Sequence, residues 1–238
     1  MGPGALFEPL ISTVSSWKGV LLQGALLTVQ IAAGSFLVGL LLGMTSAVAK
    51  LWGGPATRAV ASAYTTVFRA IPELLLIILL YYAGSSGLSA FLAALGFGLV
   101  EINGFATAVA VLGIVQGAYA GEIFRGAILA IPTGQLEAGR AFAFTPWLFL
   151  RRIILPAMLP VALPGLANLW VVLIKETSLI SVIGFSELLS SAKSAAASTR
   201  MYFTFYCVAG LMYLVMTLAS NLLFQSVERR FRRTQQAI

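Results

Sequence analysis

Long runs without any charge constrain this chain more than any other feature. No charged residue lies between Lys18 and Lys50, and the runs Ile153–Ile174 and Met201–Val227 are equally free of charge. A helix needs about 20 apolar residues to cross the hydrocarbon core of a bilayer. Charged residues make up 10% of the chain, against about 25% in soluble domains. The sequence therefore predicts an all-α integral membrane helical bundle.

Five membrane-spanning helices are predicted, within a single domain that covers residues 1–238. Their expected bounds are Val20–Ala49, Ala59–Ala83, Gly104–Ile128, Ile153–Ile174 and Met201–Val227. The second span is expected to end at Gly84–Gly87, and the short apolar run Leu88–Val100 is interpreted as an interfacial or re-entrant piece. Pro160 and Pro164 remove helical hydrogen bonds, so irregular backbone is expected in the fourth span.

The distribution of basic residues predicts the orientation. Cytoplasmic loops next to membrane spans are enriched in Lys and Arg. Most basic residues flank the loops after spans one and three or form the tail Arg229–Arg233. The N-terminus is therefore expected on the outer side and the C-terminus in the cytoplasm. Because these residues flank apolar runs and form no aromatic-interleaved patch, nucleic acid is not an expected partner.

Several classes of chemistry are absent from the sequence. The chain has no histidine and a single cysteine, so neither a metal site nor histidine-based catalysis is predicted. It has no Gly-x-Ser-x-Gly elbow and no G-x-x-x-x-G-K-[ST] phosphate loop. An enzyme is therefore not predicted, and any ATP hydrolysis must occur in another chain.

Charged residues inside predicted spans are costly and are candidates for function. Arg69 and Glu73 lie four residues apart in span two, and they share one helix face if the helix continues through Pro72. Either they form a mutual ion pair, or Glu73 faces a cationic substrate in the translocation path. For Glu122 and Arg125 we expect a mutual pair, with a role in gating as the alternative.

Polar residues in and after the fourth span are further candidates for the substrate pathway. These residues are Asn168, Lys175, Glu176, Thr177 and Ser178. The last four follow a proline-rich span, and broken helices commonly bind substrates in transporters. They would form an outer gate, line a pocket or simply end the helix.

The loop at about residues 130–150 reads as two short amphipathic helices joined by a bend. Pro146 separates them, and the loop presents the aromatic side chains of Phe142, Phe144 and Trp147. Spacing alone leaves open whether this loop merely connects two spans.

The sequence of this loop resembles the EAA loop of bacterial ABC importer permeases. That pattern is Glu-Ala-Ala, three residues, Gly, nine residues, then Ile-x-Leu-Pro, and it fits here from Glu137 to Pro156. Gly139 replaces the second Ala, and Ala143 replaces the Gly. The second replacement matters more, because Gly permits positive φ angles that Ala resists.

Other segments resemble the polar amino acid subfamily, including histidine and opine permeases. They are Phe68–Leu74, Tyr119–Ile128, Ile131–Gln135 and Lys175–Gly184. The resemblance implies the membrane-spanning subunit of an ATP-driven importer for polar, basic amino acids or opines, which moves substrate by alternating access. The alternative is an ion-gradient-driven secondary amino acid transporter, although such proteins usually show internal repeats and more spans.

The resemblance also implies partners and a location. The partners are an ATPase subunit dimer that binds ATP and Mg, a second permease subunit (a sister chain or a second copy), a periplasmic substrate-binding protein and membrane lipid. The location is the bacterial inner membrane, with a periplasmic N-terminus and a cytoplasmic C-terminus. The residues that would form the cytoplasmic coupling helix and dock on the ATPase are Glu137, Ala138, Gly139, Arg140, Phe142, Ala143 and Phe144.

Overall fold

A computed structural model describes residues 4–94 and 103–235, and the regular elements within them are helical. The α-helices are α1 (Gly4–Trp52), α2 (Pro55–Ala70), α3 (Glu73–Ala94), α4 (Gly104–Leu129), α5 (Thr133–Ala141), α6 (Pro146–Phe149), α7 (Leu155–Glu176), α8 (Leu188–Thr199) and α9 (Tyr202–Gln235). A π-helical turn covers Leu150–Ile154, and a 3-10 helix covers Thr177–Ile183.

The described residues contain four continuous helical segments that are long and apolar enough to cross a membrane. They are Ile11–Trp52, Gly104–Leu129, Pro146–Ile183 and Tyr202–Arg229. A fifth span results if the bent pair Pro55–Ala70 and Glu73–Gly84 is one broken span. The expected helical membrane architecture is thus present, and the second span has a more complex shape than the sequence suggested.

The break between α2 and α3 lies at Ile71 and Pro72. The two helices meet at 116°, and Ile71 takes an extended conformation with φ −90° and ψ 139°. Proline clashes with a helical residue before it, so the chain leaves the helix at this position. The condition for a shared face, a helix that continues through Pro72, is therefore not met, and Arg69 and Glu73 lie on different helices.

Two local predictions were wrong. Helix α3 continues through Gly84–Gly87 to Ala94, so the first part of the proposed separate piece Leu88–Val100 belongs to α3; residues 95–100 lie outside the described residues. Pro160 and Pro164 lie inside the continuous helix α7, because the fixed φ of proline is compatible with a helix and each proline removes only one donor. The irregular turn instead precedes α7, at Leu150–Ile154.

The described residues divide between two compact units. Unit one takes its residues from Met1–Ser35, Ile77–Leu112 and Val172–Leu218, and unit two from Phe36–Leu76, Gly113–Val171 and Ala219–Ile238. In unit one, the buried Phe205 packs edge-on against Trp17, with ring centroids 6.3 Å apart. Its core also includes Leu21, Leu188, Ala192, Ala195, Ala196 and Ala209.

Unit two has a core of small and large apolar side chains from α1, α4 and α7. Its buried members include Ala47, Ala120, Phe124, Met158, Ala162 and Leu166. Small residues let the backbones approach closely: a Cβ added to Gly43 would lie 2.6 Å from the Ala120 Cβ and 2.8 Å from the Gly121 nitrogen. This contact between α1 and α4 requires a glycine, as is common where membrane helices pack.

Candidate functional site

Tyr119 on α4 connects the two charged residues at the break between α2 and α3. Its hydroxyl donates a hydrogen bond to Glu73 Oε1 at 3.1 Å. The Arg69 guanidinium carbon lies 5.8 Å from the centre of the Tyr119 ring, within the range of a cation–π contact. Of the two alternatives, the mutual ion pair of Arg69 and Glu73 is not formed, and each residue instead contacts the same tyrosine.

This cluster retains its charged groups in an accessible position. Arg69 is exposed at the end of α2, and Glu73 is half-buried in the first turn of α3. The N-terminal end of a helix carries partial positive charge, which favours a carboxylate there. The chain thus presents a cation and an anion within one turn of a helix break, an arrangement suited to a ligand with charged groups.

The residues of the polar segment Lys175–Ser178 belong to unit one and differ in accessibility. Lys175 is exposed, whereas Glu176 and Thr177 are buried. The Thr177 hydroxyl donates to the carbonyl of Ile174 at 2.7 Å, and the Ser178 hydroxyl donates to the carbonyl of Lys175 at 2.6 Å. Such bonds to the preceding turn compete with regular α-helix geometry, and the chain continues here as a 3-10 helix.

Asn168 is exposed on α7 in unit two. The neighbouring Trp170 packs edge-on against Phe36, with ring centroids 5.3 Å apart. The structure therefore assigns Arg69, Glu73 and Asn168 to one unit and the segment Lys175–Ser178 to the other.

Glu122 on α4 forms a network of charges in unit two. Arg125 donates to Glu122 Oε2 at 2.9 Å, which confirms the expected pair. The second partner, Lys50 on α1, was not predicted; its ammonium group contacts both Glu122 and the Thr65 hydroxyl. The side chains of Lys50 and Glu122 are only 11% and 19% exposed, so this network connects α1, α2 and α4 below the surface.

The loop at about residues 130–150, the predicted coupling loop, contains the two short helices that the sequence predicts, α5 and α6. Between α5 and α6, Ala143 adopts φ 50°, the left-handed conformation that favours glycine. Phe142 and Phe144 stack on each other at 5.9 Å on either side of this bend, and the Phe142 side chain is 75% exposed. The Thr145 hydroxyl then caps α6 by accepting from the backbone nitrogen of Leu148 at 3.4 Å.

Gly139 has a packing reason to differ from the alanine of the EAA pattern. A Cβ at this position would lie 2.5 Å from the Phe149 ring and 3.1 Å from Ile153. The absent side chain lets α5 pack closely against the residues that follow the bend. Glu137 and Ala138 are exposed on α5, and the side chain of Arg140 lies outside the described part of the chain.

Glu187 is fully buried in unit one and was not among the residues predicted from the sequence. Its carboxylate caps α8 by accepting from the backbone nitrogens of Leu189 and Ser190 at 2.9 and 2.8 Å. The available signal was an acidic residue directly before the helical run Leu188–Thr199, because acidic residues are enriched at helix starts.

Comparison with known proteins gives consistent relationships. The family described as "Binding-protein-dependent transport system inner membrane component" matches residues 39–233. The histidine/lysine/arginine/ornithine transport system permease protein HisQ of Salmonella typhimurium is 39% identical over 215 residues, which cover 90% of this chain and 94% of HisQ. The octopine transport system permease protein OccQ of Rhizobium radiobacter is 40% identical over 218 residues, which cover 91% and 92%.

A solved structure shows the same fold. It is titled "Crystal structure of an amino acid ABC transporter with histidines", and its matching chain is 31% identical. The TM-score is 0.76, and the match covers 91% of this chain and 96% of that chain.

Proposed function

This chain belongs to the family of binding-protein-dependent transport system inner membrane components, and we propose that it is the permease subunit of an ATP-driven importer for basic amino acids or opines. HisQ and OccQ, its relatives, are permease subunits of transport systems for such compounds. The subunit resides in the bacterial inner membrane, with its N-terminus in the periplasm and its C-terminus in the cytoplasm.

The geometry of the coupling loop carries this proposal. Two short helices are joined at Ala143, and the stacked pair of Phe142 and Phe144 stands at the bend. Phe142 is exposed and Phe144 is half-buried, and aromatic residues are enriched at protein interfaces. Phe142 and Phe144 therefore insert into a surface of the ATPase subunit, while the exposed Glu137 supplies a charged contact at the rim.

The energy source resides in the partner chains. An ATPase dimer binds ATP and Mg, and a periplasmic binding protein delivers substrate to this subunit and a second permease. When ATP closes the ATPase dimer, the docked loops move and favour the outward-open state over the inward-open state. Such coupling requires that the ATPase bind the two states with different affinity.

Substrate recognition uses the helix break and the polar segment after α7. Glu73 faces the cationic group of the substrate, and its hydrogen bond from Tyr119 holds the carboxylate in place. Arg69 beside it interacts with a substrate carboxylate, since guanidinium groups match carboxylates well. Asn168 and the residues of Lys175–Ser178 line the rest of the pathway.

The test of this proposal is charge reversal on the coupling helix. In the assembled complex in proteoliposomes, Glu137→Lys is expected to reduce substrate uptake per ATP hydrolysed by at least about 10-fold, the effect of roughly 1.4 kcal/mol. The matched control is Gln135→Lys, which adds a cation to the same helix about 200° around its axis.

The result distinguishes docking from a connecting role. Loss of coupling in Glu137→Lys, with normal coupling in Gln135→Lys, supports docking through the Glu137 face. Normal uptake per ATP in Glu137→Lys contradicts the docking role. Failure of this chain to copurify with any ATPase contradicts the importer itself.

A further inference from the structure

Lys50 ties three helices of unit two together beside the proposed substrate residues. Its ammonium group, in the last turn of α1, donates to the Glu122 carboxylate on α4 and to the Thr65 hydroxyl on α2. The Thr65 hydroxyl donates its own proton to the carbonyl of Ser62 at 3.2 Å, so its oxygen accepts from Lys50. These two bonds, which we call the lysine link, connect α2 to α4 through a residue of α1.

The lysine link lies about one helical turn from the contacts of the proposed site. Thr65 and Arg69 are four residues apart on α2, and Tyr119 and Glu122 are three apart on α4. Residues at these spacings are neighbours on one face of a helix. The same face of α2 therefore meets the same face of α4 twice, once through the lysine link and once where Arg69 lies against Tyr119, the partner of Glu73.

Helix α2 has few other contacts that could hold this face in place. Of its residues Pro55–Ala70, all of which the structure describes, Ala61 and Thr65 are the buried ones. A second bond to α4 comes from the Tyr64 hydroxyl, which donates to the carbonyl of Ile114 at 2.5 Å. Hydrogen bonds from a charged donor are stronger than neutral ones, and the Lys50 side chain is largely enclosed. The lysine link is therefore a principal restraint on how α2 faces α4.

We infer that Lys50 and Thr65 are positioning residues for substrate. The lysine link holds α2 so that Arg69 lies against Tyr119, the residue that also binds Glu73. The inference rests on the proposed function, because it assumes that Arg69 and Glu73 contact the substrate. Lys50 and Thr65 act through these two residues, since their own polar atoms are used within the link.

The experiment measures arginine binding separately from assembly. Labelled arginine is titrated against the purified complex of this chain with its partner permease and ATPase, without the binding protein. Thr65→Val keeps the shape of the side chain and removes the acceptor of Lys50. The dissociation constant is expected to rise about 3- to 10-fold at an unchanged number of sites, the effect of about one lost hydrogen bond.

Two variants on α2 serve as controls for this measurement. Thr65→Ser keeps the hydroxyl that accepts from Lys50, so it should restore the wild-type dissociation constant. Thr66→Val makes the same change as Thr65→Val at the next residue, which is exposed, and it should leave arginine binding unchanged. A rise caused by loss of any threonine hydroxyl from α2 would appear in Thr66→Val as well.

Double variants test whether the effect passes through the proposed site. In the Glu73→Gln background, Thr65→Val is expected to raise the dissociation constant less than it does in the wild type, because the carboxylate of the site is already lost. Lys50→Met combined with Glu122→Gln removes both charges of the link and leaves neither one buried alone. This double variant should still bind arginine about as weakly as Thr65→Val, because α2 has lost its bond to the lysine.

Several outcomes overturn the inference. They are an unchanged dissociation constant in Thr65→Val, strict additivity of Thr65→Val with Glu73→Gln, and wild-type affinity in the double variant of Lys50 and Glu122. If Thr65→Val loses sites through poor assembly while the remaining sites bind with wild-type affinity, the link is structural only, and the inference is overturned as well.

The proposed function fails in a different way. A wild-type complex that shows no ATP-dependent arginine uptake contradicts the function itself. Unchanged arginine binding in Glu73→Gln alone contradicts the proposed substrate site. A wild-type complex that takes up arginine but binds none without the binding protein contradicts only the positioning inference.

Discussion

The Tyr119 hydroxyl holds the Glu73 carboxylate at 3.1 Å, so α4 fixes the first residue after the break in the second span. This contact leaves Glu73 half-buried rather than sequestered. The same tyrosine ring lies against Arg69. A charged pair separated in this way stays available to a zwitterionic or cationic ligand, whereas a direct ion pair would satisfy both charges internally.

Neutralising Glu73 is expected to change substrate preference. Glu73→Gln keeps the size of the side chain and removes the charge, so uptake of arginine should fall about 10-fold or more, the effect of losing a charged hydrogen bond. Uptake of a neutral amino acid should change far less. Competition uptake assays in proteoliposomes measure both, with Tyr119→Phe as the variant that retains the charge. Equal loss for both substrates would show that Glu73 is structural.

The charge network around Glu122 is expected to stabilise the chain as a unit. Glu122→Gln leaves Lys50 with little exposure and no carboxylate, and it should cost about 2 kcal/mol of unfolding free energy, less than for a fully buried pair. Arg125→Gln should cost under about 1 kcal/mol, because the Arg125 side chain is 38% exposed and exposed pairs contribute little.

Thermal unfolding of the detergent-solubilised chain measures these differences. The double variant Lys50→Met with Glu122→Gln should recover part of the loss, because it removes the uncompensated charge. If the double variant loses as much unfolding free energy as Lys50→Met and Glu122→Gln lose together, Lys50 and Glu122 are not directly coupled.

The left-handed conformation of Ala143 predicts a stabilising substitution. A non-glycine residue with this conformation costs about 1–2 kcal/mol, while glycine costs about 0.5–1 kcal/mol in unfolded-state entropy. Ala143→Gly should therefore raise the unfolding free energy by about 0.5–1 kcal/mol and leave coupling intact. Ala141→Gly, the same change at the end of α5, should lower it. Unfolding midpoints of the two variants decide the matter, and a decrease for Ala143→Gly would mean that φ is not positive there.

Close packing between α1 and α4 predicts opposite effects for two glycines. Gly43→Ala places a Cβ against Ala120 and Gly121, and overpacking of this kind should cost about 1–3 kcal/mol. Gly126→Ala on α4 meets no atom within 4 Å and should gain about 0.5–1 kcal/mol through helix propensity. The thermal unfolding midpoints of the two purified variants test both predictions. Equal effects would show that helix propensity, rather than the α1–α4 contact, dominates.

The sequence by itself determined the class of the chain. Charge-free runs predict helices in a membrane because unsatisfied polar groups and charges are costly in hydrocarbon. The spacing from Glu137 to Pro156 predicted the two short helices and their bend, since Pro146 and the pattern around it act over a few residues. The pair of Glu122 and Arg125 was predictable for the same reason, because residues three apart on a helix are neighbours.

Tertiary structure decided which distant residues meet. Periodicity describes each helix separately and carries no information about its rotation against another helix. For that reason Tyr119 beside Glu73, Lys50 beside Glu122, and Tyr213 beside Glu187 were not predicted. The same limit applies at Pro72, where the sequence left open whether the helix continues: a proline weakens a helix locally, but packing decides whether the helix continues, as α7 does through Pro160, or turns by 116°.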